Sequence, residues 1–342
     1  MPQGDPFSGT LTHLGDHAFE DCAQLAEIVL PGGLVSLGES AFARCGQLER
    51  VTLPTSLTVI GSNAFKDCDA LAEIIVPEGV QTLDSQCFAC CDSLWNVSLP
   101  STLTTIGEGA LILCPALTGI DIPQSVSTID KYAFPETGLT HIVLPDALTQ
   151  IEDGVFSYCA GLTEIVIPTG VKTIGNYAFA ESGLTRCVLP ATLTWIKGNA
   201  FMRCHGLTEL VIPEGVATIG MYTFAESGLT QITLPRSLTR INETAFSNCV
   251  GLTARVCENS YAHQWCADHG VAFVLIEESP VETVNQNFAA IMAQYTNENG
   301  YVDEDDIPAL MDAMEAYAIQ AQANGIIEDY TIENTSLVFF DT

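Results

Sequence analysis

Ten prolines each follow a short apolar run, at Pro31, Pro54, Pro77, Pro100, Pro123, Pro145, Pro168, Pro190, Pro213 and Pro235. They are separated by 22 or 23 residues. Phenylalanine keeps the same step at Phe19, Phe42, Phe65, Phe88, Phe134, Phe156, Phe179, Phe201, Phe224 and Phe246, with Leu111 in the one gap. Three residues after it, eight of the eleven units carry a cysteine: Cys22, Cys45, Cys68, Cys91, Cys114, Cys159, Cys204 and Cys249. The other three units read PETGL, AESGL and AESGL and are one residue shorter. Long and short units alternate in the C-terminal half. The near identity of EIVIPTGVKTIGNYAFAESGLT and ELVIPEGVATIGMYTFAESGLT points to duplication of a pair of units. A period of this length restricts the chain to stacked repeats.

One unit reads L-x-x-I-x-L-P-x-x-L-T-x-I-G-x-x-A-F-x-x-C. In LTEIVIP, Leu162, Ile165 and Ile167 are expected to point inward and Glu164 and Val166 outward, the alternation of a strand. Pro168 ends it, because proline has no N–H for a sheet ladder. A second apolar pair follows, Val171 and Ile174. GNYAF is too short for a full helix and reads as one turn of 3₁₀ or α. Its leading position holds glycine at Gly15, Gly38, Gly61, Gly107, Gly175 and Gly220, but Asp84, Asp130, Glu152, Lys197 and Asn242 elsewhere. That turn therefore favours glycine without requiring a positive φ. A lone unit cannot bury its apolar edge. Stacked units can, since each inward residue meets its counterpart about 4.8 Å away. Eleven coils at that spacing give a curved rod about 50 Å long. Each fully buried Phe or Leu contributes about 1.5–3 kcal/mol.

Over residues 7–276 this unit resembles the BspA-like leucine-rich repeat of bacterial surface and secreted proteins. The resemblance implies a right-handed α/β solenoid of about 11 coils with a parallel sheet on its concave face. It also implies an extracellular or cell-surface location and adhesion to host or matrix proteins. The expected organisation is a solenoid over 1–276, with its C-terminal cap at 250–276, then a small acidic α+β domain over 281–342. Within the cap a helix is expected from about Ser260 to Asp268, with Ser260 as N-cap and Gly270 as stop, followed by a strand in VAFVLI. FSGT at 7–10 replaces the expected first strand and proline, and the chain stops after an apolar run, so it reads as a fragment.

Past residue 276 the period is lost. Residues 277–342 hold 14 acidic and no basic side chains, leaving 28 acidic and 11 basic in the rest. A linker is read at Glu277–Pro280, two amphipathic helices within ETVNQNFAAIMAQY and DIPALMDAMEAYAIQAQ, and a hairpin in YTIENTSLVFF. The overall formal charge of −31 repels phosphate, which argues against a nucleic-acid partner. No apolar run reaches membrane-spanning length, so no membrane insertion is expected. The first ten residues lack the pattern of a signal peptide. Nothing in the pattern sets an oligomeric state.

Three groups of residues suggest metal chemistry, each with a plainer explanation. The cysteine ladder, Cys91 included, fits small buried side chains at one inward position; beside it Cys87 takes the place of Ala41 and Ala64, and only Cys90 is extra. Cys257, His263, Cys266 and His269 have zinc-like residue types, and Cys257 with Cys266 has the makings of a disulfide, yet packing of the cap also explains them. YTNENGYVDEDD imitates a calcium loop around Gly300, but Tyr295 stands where the first carboxylate belongs and Asp306 where a glutamate does. No nucleophile elbow, HExxH, P-loop or dinucleotide fingerprint occurs, so no enzyme and no cofactor are expected.

The outward strand columns are the remaining candidate surface. One runs through His141, Glu164, Arg186 and Glu209, and its neighbour through Val143, Val166, Val188 and Val211, with Trp95 at the edge of the same sheet. An exposed aliphatic stripe of this kind marks partner contact, while β-propensity on an open sheet also explains it. The expectation is a non-catalytic surface module that binds a protein or a glycan there. A passive spacer and an accessory domain of a larger secreted enzyme are the alternatives.

Overall fold

The computed structural model describes residues 11–276 and the backbone of 329–333 and 336–340. The chain divides into two compact units, Met1–Leu275 and Ile276–Thr342. In the first, successive repeats stack as parallel rungs, with one core running through all of them. The expected inward residues are buried: Leu162, Ile165 and Ile167 lie in that core, while Glu164 and Val166 are exposed.

Most coils contribute to two strand ladders rather than one. The longer strands, such as Glu164–Val166 and Arg186–Val188, pair in parallel with Glu164 opposite Arg186 and Val166 opposite Val188. The proline then turns the chain, its carbonyl accepting the N–H three residues on, as from Val171 to Pro168 at 3.0 Å. A second, two-residue strand follows, as in Thr173–Ile174 and Trp195–Ile196, which pair in register. Two residues are too few for alternation to show in a sequence, so the pair Val171 and Ile174 gave no sign of this strand.

The third side corrects the expected helical turn. In coil 175–182 the N–H groups of Tyr177, Phe179 and Glu181 donate to the carbonyls of Gly198, Ala200 and Met202 in the next coil, at 3.2, 2.8 and 2.8 Å. The alternate N–H groups, of Ala178, Ala180 and Ser182, close turns onto Gly175, Tyr177 and Phe179. Tyr177 and Glu181 both take left-handed φ of 57°. The same pair of positions, two before and two after the phenylalanine, is left-handed from the coil of Phe19 through that of Phe224. A left-handed residue costs about 1–2 kcal/mol, and the ladder it permits leaves the backbone donors paired.

The phenylalanines form a stacked spine. Ring centroids are 5.1–5.5 Å apart from Phe19 to Phe88 and 5.2–5.7 Å apart from Phe134 to Phe246, with Leu111 buried between the two runs. Trp265 closes the spine edge-on, 5.7 Å from Phe246. It belongs to the helix Tyr261–His269, where the Ser260 side chain accepts from the His263 N–H and Gly270 ends the helix at φ 69°. The strand Ala272–Ile276 follows as expected, at the edge of the longer-strand sheet beside Thr253–Cys257.

The cysteine ladder also makes hydrogen bonds. Each thiol from Cys45 onward donates to the phenylalanine carbonyl one coil back, as from Cys68 to Phe42 at 3.2 Å and from Cys204 to Phe179 at 3.0 Å. In the short units Thr137, Ser182 and Ser227 occupy that position and face the next thiol at 3.3, 3.4 and 3.5 Å. The deleted residue draws these units inward. A Cβ on Gly183 would stand 2.1 Å from the Ala160 carbonyl oxygen, against 2.9 Å from Leu139 for Gly161 in a long unit. That approach explains the invariant SGL or TGL of the short units. The glycines heading the turn, such as Gly175 and Gly220, likewise face the preceding coil, where a Cβ would meet backbone at 2.6 Å.

In the second unit, strands Asp329–Glu333 and Ser336–Phe340 form an antiparallel hairpin, as read from YTIENTSLVFF. The two amphipathic segments, the linker Glu277–Pro280 and the calcium-like loop lie outside the described residues. Among the described residues, no helix is long and apolar enough to cross a membrane.

Candidate functional site

Strand alternation sends Glu164, Arg186 and Glu209 outward in one column and Val166, Val188 and Val211 outward in the next. The residues between them, Ile165 and Leu210 among them, anchor the strands in the core. Val143, Val166 and Val211 are 72%, 67% and 66% exposed, and Val188 is 41% exposed. Val166, Val188 and Val211 stand on backbone held by the ladder, so this part of the aliphatic column is presented in a defined geometry.

Two shallow hollows lie along it. One, of about 420 Å³, is lined by His141, Val143, Glu164, Val166, Arg186 and Val188. The other, of about 550 Å³, has Arg186, Val188, Glu209, Val211, Thr233 and Arg255 around it. Arg186 and Val188 line both. Glu164, Arg186 and Glu209 are exposed and form no ion pair among the described residues. The face therefore offers an aliphatic strip beside charged heads that keep their full hydrogen-bonding capacity.

Eight of the nine candidate residues come together in this way, and Trp95 does not. It is 56% exposed at the head of Asn96–Ser98, two coils before His141. Between these coils the longer-strand ladder lapses, with no strand at 119–122 or 141–144. Gly119 supplies no side chain to the sheet, and the His141 ring occupies the space, its Cε1 3.1 Å from where a Cβ would stand. His141 and Val143 thus flank the sheet without belonging to a regular strand. Arg255 was absent from the columns because the last unit loses its proline. The strand Thr253–Cys257 nevertheless continues the register, with Arg255 opposite Thr233.

In the cap, the residues of zinc-like type are engaged in packing and local hydrogen bonds. His263 takes the N–H of Asn259 on its Nδ1 and lies edge-on to Phe273. His269 stacks on Trp265, and Cys257 and Cys266 are both buried thiols. Among the described residues no group of three His, Cys, Asp or Glu side chains could hold a metal ion. Burial pushes the Cys159 and Cys204 thiols up to about 11. Partial burial, followed by the Asp67 carboxylate, also moves Cys90 up to about 11, which disfavours the reactive thiolate.

Among solved structures, the chain is similar to the pneumococcal vaccine antigen PcpA, at 17% identity over 78% of this chain and 85% of that one, with a TM-score of 0.51. That likeness is one of fold. Others are a leucine-rich repeat protein from Bacteroides ovatus (24% identity, 78% and 88% covered, TM-score 0.48) and a leucine rich cell surface protein from Faecalibacterium prausnitzii (27% identity, 75% and 85% covered, TM-score 0.46). No curated protein matches. The family model described as a BspA type leucine rich repeat region, in six copies, matches residues 12–138 and again 127–253. With that match spanning well over half of its length, the chain belongs to the BspA-type leucine-rich repeat family.

Proposed function

We propose that the solenoid is a non-catalytic binding module, displayed outside the cell, that takes a protein or glycan on its longer-strand face. The observation that carries this reading is the column Val143, Val166, Val188 and Val211, standing in water along two hollows. Covering one such valine fully contributes about 1.5–3 kcal/mol. Glu164, Arg186 and Glu209 alternate in sign beside the stripe, which selects among partners and fixes their register. The extracellular placement rests on the family, as does a protein ligand in preference to a glycan.

The test uses the full chain against a panel of immobilised extracellular-matrix proteins and glycans. Val166→Asp with Val211→Asp places two charges in the stripe without touching the core. Any ligand held there should weaken by about tenfold or more, with thermal unfolding unchanged. Binding that survives both this variant and Glu164→Lys with Glu209→Lys would move the site to another face, and binding to nothing on the panel would favour the spacer.

A further inference from the structure

The shorter strands form a second exposed face with a different chemistry. Its outward column is Ser36, Val59, Thr82, Thr105, Thr128, Gln150, Thr173, Trp195, Thr218 and Arg240. Threonine suits an open sheet. Trp195, 47% exposed, does not follow from that preference, and neither does Arg240 two strands on. Trp195 lies opposite Thr218 and Thr218 opposite Arg240, so the indole and the guanidinium rise from the same face about 9.6 Å apart at two strand spacings. Thr218 lies low between them. Gly198 and Gly220 beside it bring no side chains, and the result is an open cleft of about 480 Å³.

The cleft walls contain no carboxylate, although the chain has 42 acidic residues against 11 basic ones. They contain Lys197 and Arg240, two of those eleven. The Lys197 ammonium sits 5.5 Å from the Trp195 ring centroid and 3.8 Å from Asp153, which holds it at the cleft margin. Arg240 is exposed and forms no ion pair among the described residues. Met221, 53% exposed, adds apolar wall, and two carboxamides also line the cleft, each oriented by bonds it already makes. Asn176 gives its Nδ2 to Asp153, leaving Oδ1 as an acceptor. Asn242 accepts on Oδ1 from the N–H and hydroxyl of Thr244, leaving Nδ2 as a donor.

We propose that this cleft binds a carboxylated pyranose, a uronic or sialic acid residue of a glycan. The indole supplies an apolar plane for the ring's C–H face. Arg240 supplies the planar fork that suits a carboxylate, with Lys197 adding charge. Asn176 Oδ1 and Asn242 Nδ2 offer one acceptor and one donor to ring hydroxyls. The site lies on a different face from the valine stripe, so the two readings stand or fall separately.

Saturation-transfer NMR on the full chain, with sialyllactose, oligogalacturonate and neutral lactose as probes, tests the proposal. At least one acidic sugar should bind about tenfold tighter than lactose. Trp195→Ala should abolish the transfer. Arg240→Gln should reduce the preference for acid over neutral sugar by about fivefold or more, with unfolding unchanged for both variants. Val166→Asp with Val211→Asp should bind these sugars normally. Absence of transfer from both acidic probes, equal binding of lactose, undiminished binding by Trp195→Ala, or full displacement by inorganic phosphate would each overturn it.

Discussion

Removing one ring from the middle of the spine tests the stacking directly. Phe201 is fully buried, with neighbouring rings 5.2 Å away at Phe179 and 5.5 Å away at Phe224. Phe→Ala in a close-packed core costs about 3–5 kcal/mol. Here both faces lose a stacked partner, worth about 0.5–1.5 kcal/mol each beyond area, so Phe201→Ala belongs at the upper end, about 4–5 kcal/mol. Phe201→Leu should cost about 1–2 kcal/mol, because Leu111 shows that a coil closes around leucine with no exposure. Phe19→Ala should cost about 2 kcal/mol, since Phe19 is only part-buried and, among the described residues, stacks on Phe42 alone. In an array coupled through nearest neighbours the damage stays local. Urea unfolding gives the magnitudes, and hydrogen exchange locates the loss. The amides of Phe179 and Phe201, bonded to Ala200 and Thr223, should lose protection before those near Phe42. Equal costs for Phe201→Ala and Phe19→Ala, or protection lost evenly along the array, would refute the stacked-rung account.

Two further outcomes follow from the core. Cys159 and Cys204 are pushed by burial to about 11 from an ordinary 9.0. The unfolded chain therefore ionises first, and the stability these thiols contribute is complete below about pH 9 and is lost as pH rises toward about 11. Urea midpoints across that range should fall less steeply for Cys159→Ser with Cys204→Ser, whose hydroxyls still donate; an unchanged slope would contradict the assignment. Gly183→Ala drives a Cβ to 2.1 Å from a backbone oxygen and should cost about 3 kcal/mol, whereas Gly32→Ala, with nothing within 4 Å, should be close to neutral by the same denaturation assay.

Much of the architecture was legible because burial repeats. Proline, phenylalanine and cysteine recur in step since each occupies an equivalent place in every rung, and the outward valines could be placed by alternation alone. The cap helix was equally legible, as Ser260 and Gly270 are local signals. Other features left no such trace. The two-residue strands are shorter than any pattern, and the left-handed pairs fall on residues of no common type, Tyr177 and Glu181 in one coil and Asn63 and Asp67 in another. The thiol-to-carbonyl bonds depend on a partner about 25 residues away, as from Cys159 to Phe134.

The sequence by itself determined the period, the inward columns, the cap and the candidate stripe, because these follow from which side chains avoid water within one unit. Tertiary structure alone decided what meets across rungs. It brought Trp195, Thr218 and Arg240 onto one cleft, separated Trp95 from the valines, and put a glycine in each short unit against the coil before it. Those contacts join residues one or two repeats apart, and their geometry depends on how one coil settles on the next.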